Sequence, residues 1–386
     1  MKIIVLGGYG EMGKISVIDL VETCKDCEIV VAGRDRKKAE NFAKSLKRKN
    51  VKGVQVDVNN QKQLIRLLQG SDVVINATQY YMNLNVMKSA LAANVNYVDL
   101  GGLFHMTRKQ LKLHKQFKKR NLIAVIGCGA TPGITNVMAA YGAKFFYSIE
   151  SINVQFADRD YTNYKIAFTV PYSMYTIFDE FTKKPAVLQN GRIKFVEPFT
   201  GMEDIKFPGP MHNAICFYTL HSEVATFPKS FKDKDIKNCS FKGGFDKDFV
   251  GKVKFLVDSG FASDKLVNFK GTKIIPKEFT VKILNQFIPS LKIKINDIEF
   301  LRVEITGKSK KFGKRLVVYC QTKTNKKWNI SAGSWDTGVP PSIIAQMIAK
   351  SQINQKGVLP PELCIDPEIF FKELKKRNIK VYLDYP

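Results

Sequence analysis

Gly8, Gly10 and Gly13, in the run Gly8-Tyr9-Gly10-Glu11-Met12-Gly13, have the G-x-G-x-x-G spacing that cradles a dinucleotide pyrophosphate. Gly8 allows a tight turn, Gly10 lets backbone approach the phosphates, and Gly13 lets a helix pack closely on the preceding strand. Gly33-Arg34-Asp35 stands where such enzymes read the adenosine ribose. Gly33 takes the place of the usual acid and Arg34 is set to meet a 2′-phosphate, which favours NADP(H) over NAD(H). Asp35 would serve NAD if the strand ran one residue further. Nicotinamide chemistry then asks for one proton-handling group and something to hold substrate charge. The candidates are Asp99, Tyr80, Tyr81 and the His221-Ser222-Glu223 triplet, in which a histidine beside a carboxylate can relay a proton. Asp99 reads equally as the cap of the turn that follows it, and the tyrosines as packing at a domain seam. Arg159 is one source of positive charge for a substrate carboxylate, although an arginine in such a position is commonly a surface residue. Cys128 has no paired base and reads as a small buried residue. No His, Cys, Asp or Glu spacing suggests a metal.

The glycine motif has force only if a strand precedes it and a helix follows. Lys2–Leu6 is an apolar strand-like run, and Ile15, Val17, Ile18, Leu20 and Val21 give a helical pattern after it. Six such strand–helix units follow one another up to Ile126, with strands at Glu28–Ala32, Val51–Val56, Asp72–Ala77, Asn96–Leu100 and Leu122–Ile126. The reading is an α/β fold, a doubly wound Rossmann sheet of six parallel strands. Ligands bind at the carboxyl ends of such strands, so Asp57, Ala77, Thr78 and Gly101 join Gly8 to Gly13, Gly33, Arg34 and Asp35 as cofactor contacts. Glycine-rich turns after the later strands, Gly101-Gly102 and Gly127 to Gly133, allow close approach of a ligand.

From Gly127 the rhythm changes. Strands are expected at Ile149–Phe156, Ile166–Val170, Val253–Val257, Leu301–Thr306 and Arg315–Gln321, with helices at Met174–Phe181 and Glu278–Phe287. Helix returns after Gly338, with Pro340 and Pro341 suited to a helix start before Ile343–Ala349, and Ile379–Leu383 is a last strand-like run. The expected division is 1–127 plus 338–386 for the dinucleotide domain and 128–337 for a central α+β domain.

Composition fits a globular protein, with 45% hydrophobic and 25% charged residues. No apolar run reaches bilayer length, and the chain enters Lys-Ile-Ile-Val-Leu without a leader, which points to the cytoplasm. The seven cysteines read mostly as free thiols, Cys24 and Cys27 among them. The net charge of +26 is dispersed. Its densest stretch, Arg108 to Arg120, reads as a helix with Leu113 and Phe117 inward and lysines in solvent, so nucleic acid is an unfavoured partner.

These segments together resemble the saccharopine dehydrogenase family, including its lysine 6-dehydrogenase branch. The resemblance runs through Gly8 to Gly13, Tyr97-Val98-Asp99-Leu100-Gly101-Gly102, Gly127-Cys128-Gly129-Ala130-Thr131-Pro132-Gly133, Tyr218 to Thr226, and Gly357-Val358-Leu359-Pro360-Pro361-Glu362. It implies a Rossmann domain completed by the C-terminus and a central domain for substrate binding and homodimer formation. It also implies NAD(P)-linked oxidation of a carbon–nitrogen bond in saccharopine or a related amine, or the reverse reductive condensation. The lysine 6-dehydrogenase branch carries an acid at the end of its second strand where this chain has Gly33-Arg34, and lacks the His-Ser-Glu form at 221–223. The fungal reductase branch has Leu-Asp-Pro-Gly in place of Ala130-Thr131-Pro132-Gly133. An oxidative deaminase of the lysine 6-dehydrogenase type is the alternative enzyme. A non-catalytic NADP-binding regulator or nucleic-acid-associated protein is the alternative of another class.

Overall fold

Alternate residues of the first strand, Ile3 and Val5 against Ile4 and Leu6, enter two different apolar clusters. Val31 and Val30 divide in the same way, as do Val73 and Val74. A strand buried on both sides belongs to a sheet covered on both faces, the geometry of parallel sheets. In a computed structural model that describes residues 1–164, 166, 168–287, 293–309 and 311–384, that sheet has seven parallel strands. They are β1 (Lys2–Leu6), β2 (Glu28–Gly33), β3 (Val51–Gln55), β4 (Val73–Asn76), β5 (Asn96–Asp99), β6 (Ile123–Val125) and, far along the chain, β17 (Gly357–Leu359). The order is β17-β6-β5-β4-β1-β2-β3. Order reverses between β1 and β4, and the crevice outside the ends of those two strands is where such sheets take a ligand.

The second sheet is mixed. It contains β7 (Phe146–Asp160), β8 (Ala186–Gln189), β9 (Arg192–Phe195), β10 (Glu203–Lys206), β11 (Asn213–Tyr218), β12 (Asn238–Gly244), β15 (Asp297–Ser309), β16 (Arg315–Lys323) and β18 (Lys380–Asp384). The main path is β10-β11-β12-β7-β15-β16-β18. A small hairpin, β13 (Val267–Phe269) with β14 (Thr272–Ile274), stands apart. One face of the second sheet, through Ile152, Val154, Leu301, Val303 and Ile305, shares a single apolar cluster with the first sheet. Helices Ile134–Ala143 and Ala332–Ala349 lie between the two sheets within it.

Several expectations change. The sheet has seven strands rather than six, because β17 adds to the β6 edge. The tail is shared between the sheets: β18 pairs antiparallel with β16 in the second sheet. Residue 338 lies inside a helix that starts at Ala332 and is capped by Ser331, with Pro340 and Pro341 in its interior. Val253–Val257 is helical, within Lys247–Asp258, because Asp246 caps the amides of Asp248 and Phe249 and Val253 faces inward on a helical period. Residues 166 and 168–170 pair in no sheet, and 167 is outside the described residues. Cys24 and Cys27, expected as thiols, are joined in a disulfide at the end of helix Glu11–Thr23. Among the described residues no helix is long and apolar enough to cross a membrane.

Candidate active site

At Gly8 and Gly13 the turn after β1 leaves no room for a side chain larger than hydrogen. A Cβ on Gly13 would lie 2.2 Å from the Gly7 carbonyl oxygen, and one on Gly8 would lie 2.7 Å from that of Val5. Helix Glu11–Thr23 has no side-chain cap, and among the described residues the amides of Glu11, Met12 and Gly13 have no backbone acceptor. Free amides at a helix N-terminus, reached over glycine backbone, suit a pyrophosphate. The sequence-derived contacts Tyr9 to Gly13 therefore fit the cofactor. Gly7 and the Ala77 carbonyl nearly touch across the β1–β4 crevice, since a Cβ on Gly7 would lie 2.7 Å from that oxygen.

At the end of β2 the Tyr9 ring covers Gly33, where a Cβ would come within 2.4 Å of it. The Asp35 amide donates to the Tyr9 hydroxyl at 2.9 Å. The Asp35 carboxylate is turned away to accept from the Lys38 amide at 3.0 Å, which caps the next helix. Arg34 is exposed and lines, with Tyr9 and Lys38, a hollow of about 650 Å³. Asp57 is exposed and caps its own turn through the Asn59 amide.

Asp99 is fully buried and accepts four hydrogen bonds. They come from the amides of Gly101 (2.9 Å) and Gly127 (2.8 Å), the Tyr97 hydroxyl (2.8 Å) and Gln110 Nε2 (2.5 Å). Burial pushes it above the usual carboxylate range, while those donors favour the anion. Asn76 and Asn83 extend the network: Asn76 Nδ2 reaches Asn83 and Tyr97, Asn83 donates to the Gly101 carbonyl, and the Thr78 hydroxyl and amide both donate to Asn76 Oδ1. The network ties the ends of β4, β5 and β6 into one crest. Asp99, expected either as a proton handler or as the cap of the turn after it, is held here as a brace of that crest, buried among four donors. Asp99→Ala strands those donors in the interior and is expected to lower unfolding free energy by about 3 kcal/mol in denaturant titration. Unchanged stability would contradict the bracing role.

Above the crest stands the second domain. His221 is buried, its Nδ1 2.5 Å from Glu223 Oε2 and its ring stacked on Phe241 at 3.7 Å. Glu223 also accepts from the Thr135 hydroxyl at 3.0 Å, at the start of the helix that follows the Gly127–Gly133 loop. Burial works against charge on His221, but Glu223 and then Glu180 hold its proton affinity above the ordinary value. Among the described residues its Nε2 has no hydrogen-bond partner. Glu180, on helix Met174–Thr182, accepts from the Tyr172 hydroxyl at 2.5 Å, and burial pushes it up to about 7. Sequence reading missed Glu180. Its signal was weak: a carboxylate next to Phe181 on a helix whose inward positions are Met174, Ile177 and Phe178.

The tyrosines divide. The Tyr80 hydroxyl donates to Asp179, and Asp179 pairs with Lys277 at 2.5 Å and Lys183 at 3.0 Å. Burial and Asp179 hold the Tyr80 phenol protonated far above its ordinary value, so it clasps the two domains. Tyr81 is exposed, and burial raises it while nearby Arg34 lowers it, which sets it on the cofactor side of the seam. Arg159 is on the opposite face of β7 from Asp158, exposed, and donates to the Pro210 carbonyl at 3.0 Å, away from the seam. Cys128 is fully buried and burial pushes its thiol up, which leaves it without nucleophilic character. Among the described residues no group of three or more His, Cys, Asp or Glu side chains is placed to hold a metal.

Residues 3–125 match the family model of the saccharopine dehydrogenase NADP binding domain, and residues 129–379 that of the saccharopine dehydrogenase C-terminal domain. Carboxyaminopropylagmatine dehydrogenase of Synechocystis is 24% identical over 395 residues, covering 98% of this chain and 96% of that protein. Carboxynorspermidine synthase of Vibrio alginolyticus is 24% identical over 384 residues, covering 94% and 88%. Among solved structures, saccharopine dehydrogenase (L-Glu forming) from Saccharomyces cerevisiae superposes with a TM-score of 0.74 at 17% identity, covering 99% of each chain. Homospermidine synthase from Legionella pneumophila, solved with NAD, superposes at 0.70 with 14% identity, covering 100% of this chain and 91% of that one.

Proposed function

The chain belongs to the saccharopine dehydrogenase family and is an NAD(P)-dependent oxidoreductase acting on amine carbon–nitrogen groups, and from that premise we propose that its substrate is a carboxylated di- or polyamine rather than saccharopine. The observation that carries the reading is the seam, where the His221–Glu223 pair meets Thr135 beyond the Gly127–Gly133 loop and Asp179, next to Glu180, meets Tyr80 beyond β4. The names of the relatives support the amine class. The 1–127 and 128–337 segments, with the tail shared, divide the work: the first holds the dinucleotide and the second supplies the proton chemistry and the amine subsite.

Gly8, Gly10, Gly13 and Arg34 would hold the dinucleotide, which would supply the hydride acceptor or donor for the carbon next to nitrogen. The residues of the chain do the rest. In the oxidative direction the amine must lose a proton, and His221 Nε2 receives it while Glu223 fixes the ring through Nδ1. Glu180 exchanges protons with the water that adds to the resulting imine. In the reductive direction the same groups return the protons. Lys183, partly exposed beside Tyr80, supplies a cation for the substrate carboxylate. Reduction of NADP+ by carboxynorspermidine, carboxyaminopropylagmatine and saccharopine, followed by absorbance, tests the substrate. The carboxylated polyamines are expected to give kcat/KM at least tenfold above saccharopine. A preference for saccharopine would overturn the choice.

NADP(H) over NAD(H) belongs to the same proposal, supported by exposed Arg34 and by the engagement of Asp35 as a helix cap. Loss of a charge-assisted contact to the 2′-phosphate is worth about 1.5–3 kcal/mol. Arg34→Ala should therefore raise KM for NADP+ about tenfold or more and leave KM for NAD+ nearly unchanged in initial-rate assays. Equal effects on both would remove Arg34 from 2′-phosphate recognition. A cytoplasmic homodimer is the expected setting. Light scattering reads the oligomeric state, a dimer mass being expected and a monomer mass overturning it.

A further inference from the structure

Asp158 of β7 and Glu299 of β15 are directly opposed in register, on the sheet face that Leu301 and Val303 turn toward the dinucleotide domain. Glu299 Oε2 lies over the first turn of helix Ala332–Ala349, so close that a Cβ on Gly333 would meet it at 2.3 Å. One turn further along that helix is Asp336, fully buried, with neither carboxylate oxygen hydrogen-bonded among the described residues. The Thr322 hydroxyl, on the residue of β16 that pairs with Glu299, is also buried and unpartnered. The neighbour of Asp336, Thr337, packs against Gly129 of the crest, where a Cβ would lie 3.4 Å from its methyl group. The acidic group thus adjoins the Gly127–Gly133 loop at the end of β6, one of the glycine-rich turns that allow close approach of a ligand.

The charged groups that act on these carboxylates are themselves acidic. Burial, then Asp336, Asp158 and Asp297, push Glu299 well above its ordinary value. Burial and Asp297 do the same to Asp336, against the pull of Thr322. Burial, Asp160, Asp297 and Asp246 push Asp158 up to about 7. Tyr172, which joins this group to Glu180, feels Asp158 and Glu299 as well. In a chain of net charge +26, two half-buried carboxylates beside a fully buried one, with acidic neighbours and neither oxygen of the buried one hydrogen-bonded among the described residues, are unusual. A buried carboxylate without a partner is costly until a proton or a cation joins it.

We propose that Asp158, Glu299 and Asp336 form the subsite for the distal ammonium or guanidinium group of the substrate, and so select amines with two or more positive charges. This deepens the C–N oxidoreductase reading, on which its catalytic meaning rests. Isothermal titration calorimetry on the protein saturated with NADP+ tests it, with norspermidine, agmatine and propylamine as probes. Wild type should bind norspermidine and agmatine at least tenfold more tightly than propylamine. Glu299→Gln and Asp336→Asn should each weaken norspermidine about tenfold or more and change propylamine less than twofold. Equal affinity of wild type for norspermidine and propylamine would overturn the subsite, and that measurement needs no variant to fold. Unchanged norspermidine affinity in both variants would overturn it as well. If the selectivity holds but no carboxylated polyamine reduces NADP+, the proposed reaction fails and the subsite stands. If carboxylated monoamines are oxidised as well as carboxylated polyamines, the reaction stands and the subsite fails.

Discussion

His221→Ala is expected to lower kcat for amine oxidation about a hundredfold or more, the usual scale for loss of a positioned acid–base group. The affinity for NADP+ should stay within twofold, because His221 is on the second domain, against Phe241 and Glu223, and not on the glycine loop. Glu223→Gln should lose less, since glutamine keeps one oxygen to accept from His221 while giving up the separate contact that Thr135 makes to the other carboxylate oxygen. The pH profile adds a second readout. Glu180 is pushed up to about 7 by burial, so below that pH it is protonated and cannot accept a proton. Amine oxidation should therefore rise as pH increases through about 7, and Glu180→Gln should shift that limb to lower pH, because it removes one titrating carboxylate and one of the charges that hold the proton on His221. Near-normal turnover in His221→Ala would remove it from proton transfer and leave Tyr81, the tyrosine not tied to Asp179, as the next candidate.

Arg377→Ala should be the most destabilising single change, at about 3–5 kcal/mol in denaturant titration. Arg377 Nε meets Asp19 Oδ1 at 2.6 Å and Nη2 meets Oδ2 at 3.0 Å, both residues buried. Ser342 donates to the same carboxylate, and the Arg377 carbonyl accepts from Trp335 Nε1 at 2.9 Å. The pair joins the first helix to helix Ala332–Ala349 and to the turn before β18, so it fastens the tail to both sheets. Burial already pushes Asp19 above its ordinary value, and Arg377 is the strongest opposing influence. Removal of the guanidinium leaves that carboxylate uncompensated. A loss below 1 kcal/mol would show that the tail is held by apolar packing alone.

What was legible in the sequence follows the range of the interactions. β1 to β6 could be read because each is a short apolar run bounded by turn residues, and the glycine loop because its spacing is local. β17 and β18 could not be assigned to their sheets, since three or five residues near the C-terminus carry no mark of which distant strand they pair with. Helix Ala332–Ala349 was cut short in the sequence reading because Pro340 and Pro341 look like a start. Packing resolves the interior prolines: Ser16 of the first helix donates to the Gly338 carbonyl at 2.6 Å, close to the break the prolines make in the helix ladder. The site shows the same division. His221 and Glu223 are two residues apart and were legible as a pair. Asp158, Glu180, Glu299 and Asp336 come from four separate elements, and only sheet register and helix packing bring them to one seam. Asp99 was legible as a carboxylate after a strand, proton handler or turn cap, while the four donors around it were not.

The central claim is cleavage or formation of a carbon–nitrogen bond coupled to the dinucleotide. Oxidation of a secondary amine to an imine and its hydrolysis consume one NADP+ and one water, and yield NADPH, a proton, an aldehyde and a free amine. Mass spectrometry of the protein incubated with NADP+ and carboxynorspermidine reads this directly. The expected result is a free amine formed one for one with NADPH. NADPH formed without amine release, or neither product with any carboxylated polyamine, would contradict it.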